Sequence, residues 1–162
     1  MTIDLPPEAH DFDFLLGSWR VEHRKLRERL VGCDEWLTLS GTAEVRPVLR
    51  GLGNVDRFLF HGQDFEGMTW RLFDLEDRCW TIHWADTRRG RLDPPLKGKF
   101  QDGVGLFYGD DSHDGRPIRI RFIWRALDPN HAQWQQAFSA DEGVTWETNW
   151  IMEFERLPSD SR

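Results

Sequence analysis

The chain is built on a period of two. Apolar and polar residues alternate along most of it, while the 3.6-residue spacing of an amphipathic helix is almost absent. From Pro117 to Ala126, the residues Ile118, Ile120, Phe122 and Trp124 share one face, against Arg119, Arg121, Ile123 and Arg125 on the other. From Trp146 to Arg156, alternation places Trp146, Thr148, Trp150, Met152 and Phe154 together, opposite Glu147, Asn149, Ile151, Glu153 and Glu155. Arg78 to Asp86 sets Trp80, Ile82 and Trp84 against Cys79, Thr81 and His83, and Ala132 to Ser139 puts Ala132, Trp134, Gln136 and Phe138 on one side. Further strands are expected over Trp19 to Val31, Glu35 to Leu49, Val55 to His61, Met68 to Phe73, and Lys97 to Tyr108 with a break near Asp102-Gly103.

Turn-forming stretches separate these runs at close intervals, among them Asp74 to Asp77, Asp114-Gly115, Asp128-Pro129-Asn130 and Asp141-Glu142-Gly143. The expected fold is therefore an all-β antiparallel meander of about nine or ten strands. Left flat, it would expose an apolar face and two unpaired edges, and strand twist favours curling it into a barrel. One short helix is expected at Pro7 to Leu15, with prolines in its first turn and Gly17 as its stop. A length of 162 residues suits a single domain, assigned to residues 11–156 between tails at 1–10 and 157–162.

Nine Trp and eleven Phe against one Tyr are the unusual feature of the composition. Each such ring carries roughly 150–250 Å² of surface that must lie in a core, a pocket or an interface. The formal net charge of −7 disfavours a nucleic-acid partner. No run approaches the ~20 apolar residues of a membrane-spanning helix, so no membrane partner is expected. The first residues lack the charged start and apolar run of a secretory signal, and Cys33 and Cys79 have neither metal-ligand nor disulfide-framework spacing. A cytoplasmic location with free thiols is the expectation.

Gly17-x-Trp19 follows the short helix and opens the first strand, and Arg156 closes the last. This combination resembles the calycin superfamily, the lipocalins and their relatives. The resemblance implies that the Trp19 indole plugs the barrel base with a basic side chain packed on it, the position Arg156 holds if the first strand pairs with the last. The span Phe12 to Arg156 resembles more closely a group of bacterial lipocalin-like domains of unknown function. It does so through Trp80 to Asp86, Gly115 to Trp124 and Gln135 to Trp150. That likeness implies a fold and an interior site, and no reaction. Ser139-x-Asp141-x-Gly143-x-Thr145-Trp146 matches the Asp-box pattern; with one copy in the chain it reads as a hairpin clamp.

None of the six histidines has a tight ligand spacing, so no metal is expected. Nitrobindins, barrel relatives, hold haem through one histidine. His83 falls opposite Trp80 and Trp84, His131 lies beside a turn, and His23 shares the face of Trp19. A hydrogen-bonded or surface histidine is the preferred reading, and no cofactor is assigned. The expected function is binding of a small apolar or aromatic molecule in the barrel interior. Trp70, Trp84, Trp124, Trp134 and Trp150 form the stacking wall, with Trp80 beside them. His23, Asp86 and Gln136 orient the ligand, with Thr148 a further interior polar group, and Arg88 or Arg89 guards the entrance. No catalytic residue is assigned. The competing classes are a cofactor-free isomerase, cyclase or hydratase using Asp86 or His23 as acid/base, a haem-binding barrel, and a solidly packed barrel serving as an oligomerisation module or homodimer.

Overall fold

Ten strands follow one another in the computed structural model, which describes residues 4–159: β1 (Gly17–Leu26), β2 (Trp36–Val48), β3 (Gly53–Phe60), β4 (Glu66–Asp74), β5 (Cys79–Asp86), β6 (Leu96–Gln101), β7 (Val104–His113), β8 (Arg116–Asp128), β9 (His131–Ser139) and β10 (Glu147–Arg156). Each pairs antiparallel with its neighbour in sequence, and β1 pairs with β10 to close the barrel. Closure gives every strand two neighbours, as the alternation anticipates, although β5 and β6 pair over three residues only. Residues 1–3 and 160–162 of the two expected tails lie outside the described residues. Among the described residues no helix is long and apolar enough to cross a membrane.

The N-terminal segment plugs one end, here called the base. It forms two short 3₁₀ turns, Pro7–His10 and Asp13–Leu15, where one continuous helix is expected. The bend between them drives Ala9, Phe12 and Leu15 inward. Phe12 meets Phe100 at 4.8 Å, Trp80 at 4.9 Å and Trp124 at 5.9 Å between ring centroids, mostly edge to face. Trp80 Nε1 donates to the Glu8 carbonyl at 3.2 Å, so part of the segment read as a tail belongs to this plug.

Trp19 and Arg156 lock the plug to the barrel. The indole donates to the Leu15 carbonyl at 2.8 Å, and the guanidinium carbon lies 4.2 Å from the ring centroid. The same guanidinium donates to Leu16 O at 2.6 Å, Phe14 O at 2.8 Å and Pro129 O at 3.0 Å. Gly17 is required beneath it: its φ is +119°, and a Cβ there would stand 2.7 Å from Arg156 Nη1.

Two faces are reversed relative to the sequence pattern. In β4, Trp70 is expected to face inward; Met68 and Leu72 share its parity. Phe58 pairs with Gly67 and Trp84 with Thr69, so the inward set is Gly67, Thr69, Arg71 and Phe73. Trp70 lies on the outer wall, 45% exposed, and leaves the proposed stacking set. The reason is electrostatic. Arg71 Nη2 meets Asp56 Oδ2 at 2.7 Å in the interior, with Arg71 also donating to Asn54 Oδ1 at 2.8 Å and the Thr69 amide to Asp56 Oδ1 at 2.8 Å. Burial pushes the Asp56 carboxyl up, against the pull of Arg71.

In β10 the pairing register shifts between Thr148 and Trp150, leaving Asn149 as an extra, wholly buried residue. Beyond this bulge, Thr148 pairs with Ala137, on the face opposite Gln136, so it is not an interior polar group. Trp146 shares its fate, lying over Arg121 at 4.7 Å on the outer wall. The Asp-box residues tie this hairpin. Gly143 N donates to Ser139 Oγ at 2.8 Å, and the Thr145 hydroxyl, the Thr145 amide at 2.8 Å and the Ser139 hydroxyl at 2.7 Å donate to the Asp141 carboxylate, lowering its pKa to about 2.

Arg71→Met leaves the buried Asp56 without its counter-ion and is expected to cost about 3–5 kcal/mol in chemical denaturation. The double variant Asp56→Asn/Arg71→Met is expected to cost less than Arg71→Met alone; a double variant at least as damaged would show that the pair's charge is not the controlling factor.

Candidate functional site

The end of the barrel opposite the plug carries the connections 27–35, 61–65, 87–95, 114–115 and 140–146. Here the inward row of β1 runs Trp19, Val21, His23, Lys25, with Lys25 paired to Trp150 on one side and Leu37 on the other. His23 is buried, its ring 4.8 Å from Phe60, 5.9 Å from Trp150 and 6.2 Å from Phe58. Trp150 also meets Trp134 at 5.3 Å and Trp84 at 6.2 Å, both edge to face. Trp84 lies across β4 because Gly67 has no side chain: a Cβ there would fall 2.0 Å from the indole.

Polar groups are set into this aromatic shell. Trp150 Nε1 donates to His23 Nδ1 at 3.1 Å. An indole N–H can only donate, so the neutral imidazole keeps its proton on Nε2. That Nε2–H has no hydrogen-bond partner among the described residues. Gln136 Nε2 donates to Asn149 Oδ1 at 2.8 Å, and Asn149 Nδ2 is left equally without a partner. Burial, with Lys25 nearby, pulls the His23 pKa from 6.5 to about 4.

The lip carries charge. Trp84 Nε1 donates to Asp86 Oδ2 at 3.0 Å, and Arg88 Nη2 meets the same oxygen at 2.7 Å. Those donors hold the Asp86 carboxyl below its ordinary value despite burial. Arg88 lies 5.0 Å from the Phe65 ring, and Phe65 lies 4.9 Å from Phe60. Lys25 Nζ stands 4.1 Å from the Trp150 ring and Arg29 Cζ 5.2 Å from Phe138.

The structure thus brings together His23, Trp84, Asp86, Arg88, Trp134, Gln136 and Trp150. Trp124 is interior but belongs to the base, 5.4 Å from Phe154 and 5.2 Å from the Arg71 guanidinium. Arg89 bonds Asp93 at 3.2 Å within its own loop. The rings expected to wall a hollow also pack on one another, as Trp134 does on Phe122 at 4.9 Å. Two surface depressions, of 230 and 280 Å³, lie away from the upper end, one beside Arg20, Glu22 and His131, the other beside Asp11, Phe14 and Phe100. Lys25, Arg29, Phe60, Phe65 and Asn149 were missed by sequence reasoning. Lys25 and Phe60 were accessible through strand parity with His23 and Phe58; Arg29 and Phe65 sit on connections, where parity says nothing.

Haem does not fit His23 as placed. Iron needs a nitrogen lone pair, whereas Nδ1 is taken by the indole and Nε2 carries the proton, and aromatic rings crowd the imidazole. Among the described residues no group of three or more His, Cys, Asp or Glu side chains is placed to hold a metal ion.

No family model matches the chain, and no curated protein sequence matches it. Its shape is similar to that of Rv2717c from M. tuberculosis, with TM-score 0.59 at 12% identity over 96% of this chain and 100% of that one. It is similar too to the S-type phycobiliprotein lyase CPES from Guillardia theta, with TM-score 0.58 at 11% identity over 96% and 99%. These likenesses show the fold alone: a closed antiparallel β-barrel of the kind both proteins share.

His23 gives the site a pH signature. Its folded pKa lies below the unfolded value, so the unfolded state gains protons first as pH falls. The stability His23 contributes is expected to be full above pH 6.5 and to fall by about 3 kcal/mol as pH drops through 4. In urea titrations across that window, His23→Gln is expected to flatten the decline; an unchanged slope would place the acid sensitivity elsewhere.

Proposed function

We propose that this chain binds a small apolar or aromatic molecule at the upper end of the barrel. The molecule would lie against Trp84 and Trp150, at the lip formed by Phe65 and Arg88. The observation that carries the reading is the pair of buried donors without partners, His23 Nε2–H and Asn149 Nδ2, behind an aromatic wall. Native interiors rarely leave such groups unpaired, and each costs about 1–3 kcal/mol where nothing completes it. An acceptor atom on a ligand completes them, while the rings supply apolar area. Phe65 is the lip aromatic that stands on a connection and not in a strand, so its displacement opens the way at least cost to the barrel.

Binding is favoured over acid/base chemistry by the engagements of the two candidate groups. Asp86 is ionised and held by Arg88 and Trp84, and the imidazole offers a proton to the interior but no free lone pair. The phycobiliprotein lyase supports only the suitability of such a fold for a protein with a specific molecular task.

N-phenyl-1-naphthylamine, a neutral aromatic probe, is expected to bind saturably, with rising probe emission and quenching of tryptophan. Trp150→Ala is expected to weaken it about tenfold. Absence of a saturable signal with folded protein would overturn the reading.

The outward Trp70 supports a second reading, self-association through the β3–β5 outer wall, where it pairs with Val55 and His83. Sedimentation at increasing concentration would show a dimer that Trp70→Glu abolishes; a monomer throughout would remove this reading.

A further inference from the structure

We propose that the ligand taken at the upper end is an anion, a small carboxylic acid with a flat apolar body whose carboxylate is held by Lys25 and Arg29. This rests on the binding site proposed above and names the class of molecule that fits it.

Charge supplies the first argument. The chain carries a net −7, yet Lys25, Arg29 and Arg88 stand over Trp150, Phe138 and Phe65 at one end of the barrel; burial first, and repulsion from the neighbouring arginines second, lower the pKa values of Lys25 and Arg29. Arg88 is neutralised by Asp86 at 2.7 Å. Among the described residues Lys25 and Arg29 make no ion pair within 4.0 Å; Asp86, and Glu147, which accepts from the Leu30 amide at 2.7 Å, offset the three cations in part. Three cations against two carboxylates leave an excess of positive charge that opposes folding, and one incoming monoanion relieves that cost.

Position supplies the second. Lys25 stands over Trp150 and Arg29 over Phe138, two rings on the inward face of the paired strands β9 and β10. A molecule stacked on that face would set its acid group among both cations. Desolvation strengthens the attraction: burial and the neighbouring arginines bring the Lys25 ammonium down to about 8, leaving it charged at neutral pH.

Hydrogen-bond polarity supplies the third. The buried groups left open here, His23 Nε2–H and Asn149 Nδ2, are both donors. A ligand complementary to the site must bring acceptors, and a carboxylate brings two oxygens with no proton to place. Asp86 and Glu147 nearby disfavour a dianion, so one carboxylate suits the site better than a phosphate monoester.

Naphthalene-2-carboxylate and naphthalene-2-carboxamide share shape and differ in charge, and calorimetry at pH 7 in low salt compares them directly. The carboxylate is expected to bind the wild-type chain at least about tenfold more tightly than the amide. The preference should shrink with added sodium chloride and fall to about one in Lys25→Met/Arg29→Met, and in Lys25→Gln/Arg29→Gln should the first variant fail to fold. Equal affinities in the wild type, or a preference that survives in a folded double variant, would overturn the anion assignment and leave the aromatic site standing. Failure of both compounds to bind would overturn both.

Discussion

The stacking of Arg156 on Trp19 is the contact on which the rest of the barrel depends. One guanidinium covers the indole and donates to carbonyls of the N-terminal turns and of the β8–β9 connection, joining the first strand, the last strand and the plug. With that end sealed, the rings of Phe12, Trp80 and Trp124 pack edge to face across the base. The opposite end carries connections in place of a plug.

Strand alternation made the architecture legible because it reports which residues share a face, and closure follows once about ten such strands must hide their apolar sides. It could not report which face turns inward when both carry apolar residues. β4 shows the difficulty: Met68, Trp70 and Leu72 form the more hydrophobic set, and the structure turns Arg71 inward instead. The information lay in the neighbouring strand, where Asp56 shares parity with Phe58 and Phe60 and needs a cation opposite. The reversal at Thr148 was invisible for another reason, since a bulge adds a residue without any compositional mark.

The interior is graded in its chemistry. Toward the base, the opposite charges of Asp56 and Arg71 face each other beside Asn54, Thr69 and the faces of Phe12 and Trp124, with Arg71 Nε left without a hydrogen-bond partner. Toward the mouth, three cations face two carboxylates, and the donors His23 Nε2 and Asn149 Nδ2 have no partner among the described residues. Polar groups of the first kind fix strand register and cost stability when disturbed. Those of the second kind are the groups that the proposed ligand would complete.

Asn149 carries a consequence of its own. Because one surplus residue swaps the phase of β10, the strand acts as two independent rulers laid end to end, one counting Trp150, Met152 and Phe154 into the barrel, the other counting Trp146 out of it. The Asp-box hairpin and the rings beneath it therefore keep separate registers. Removing that single residue would fuse the two rulers and force the chain to choose which tryptophan to hide.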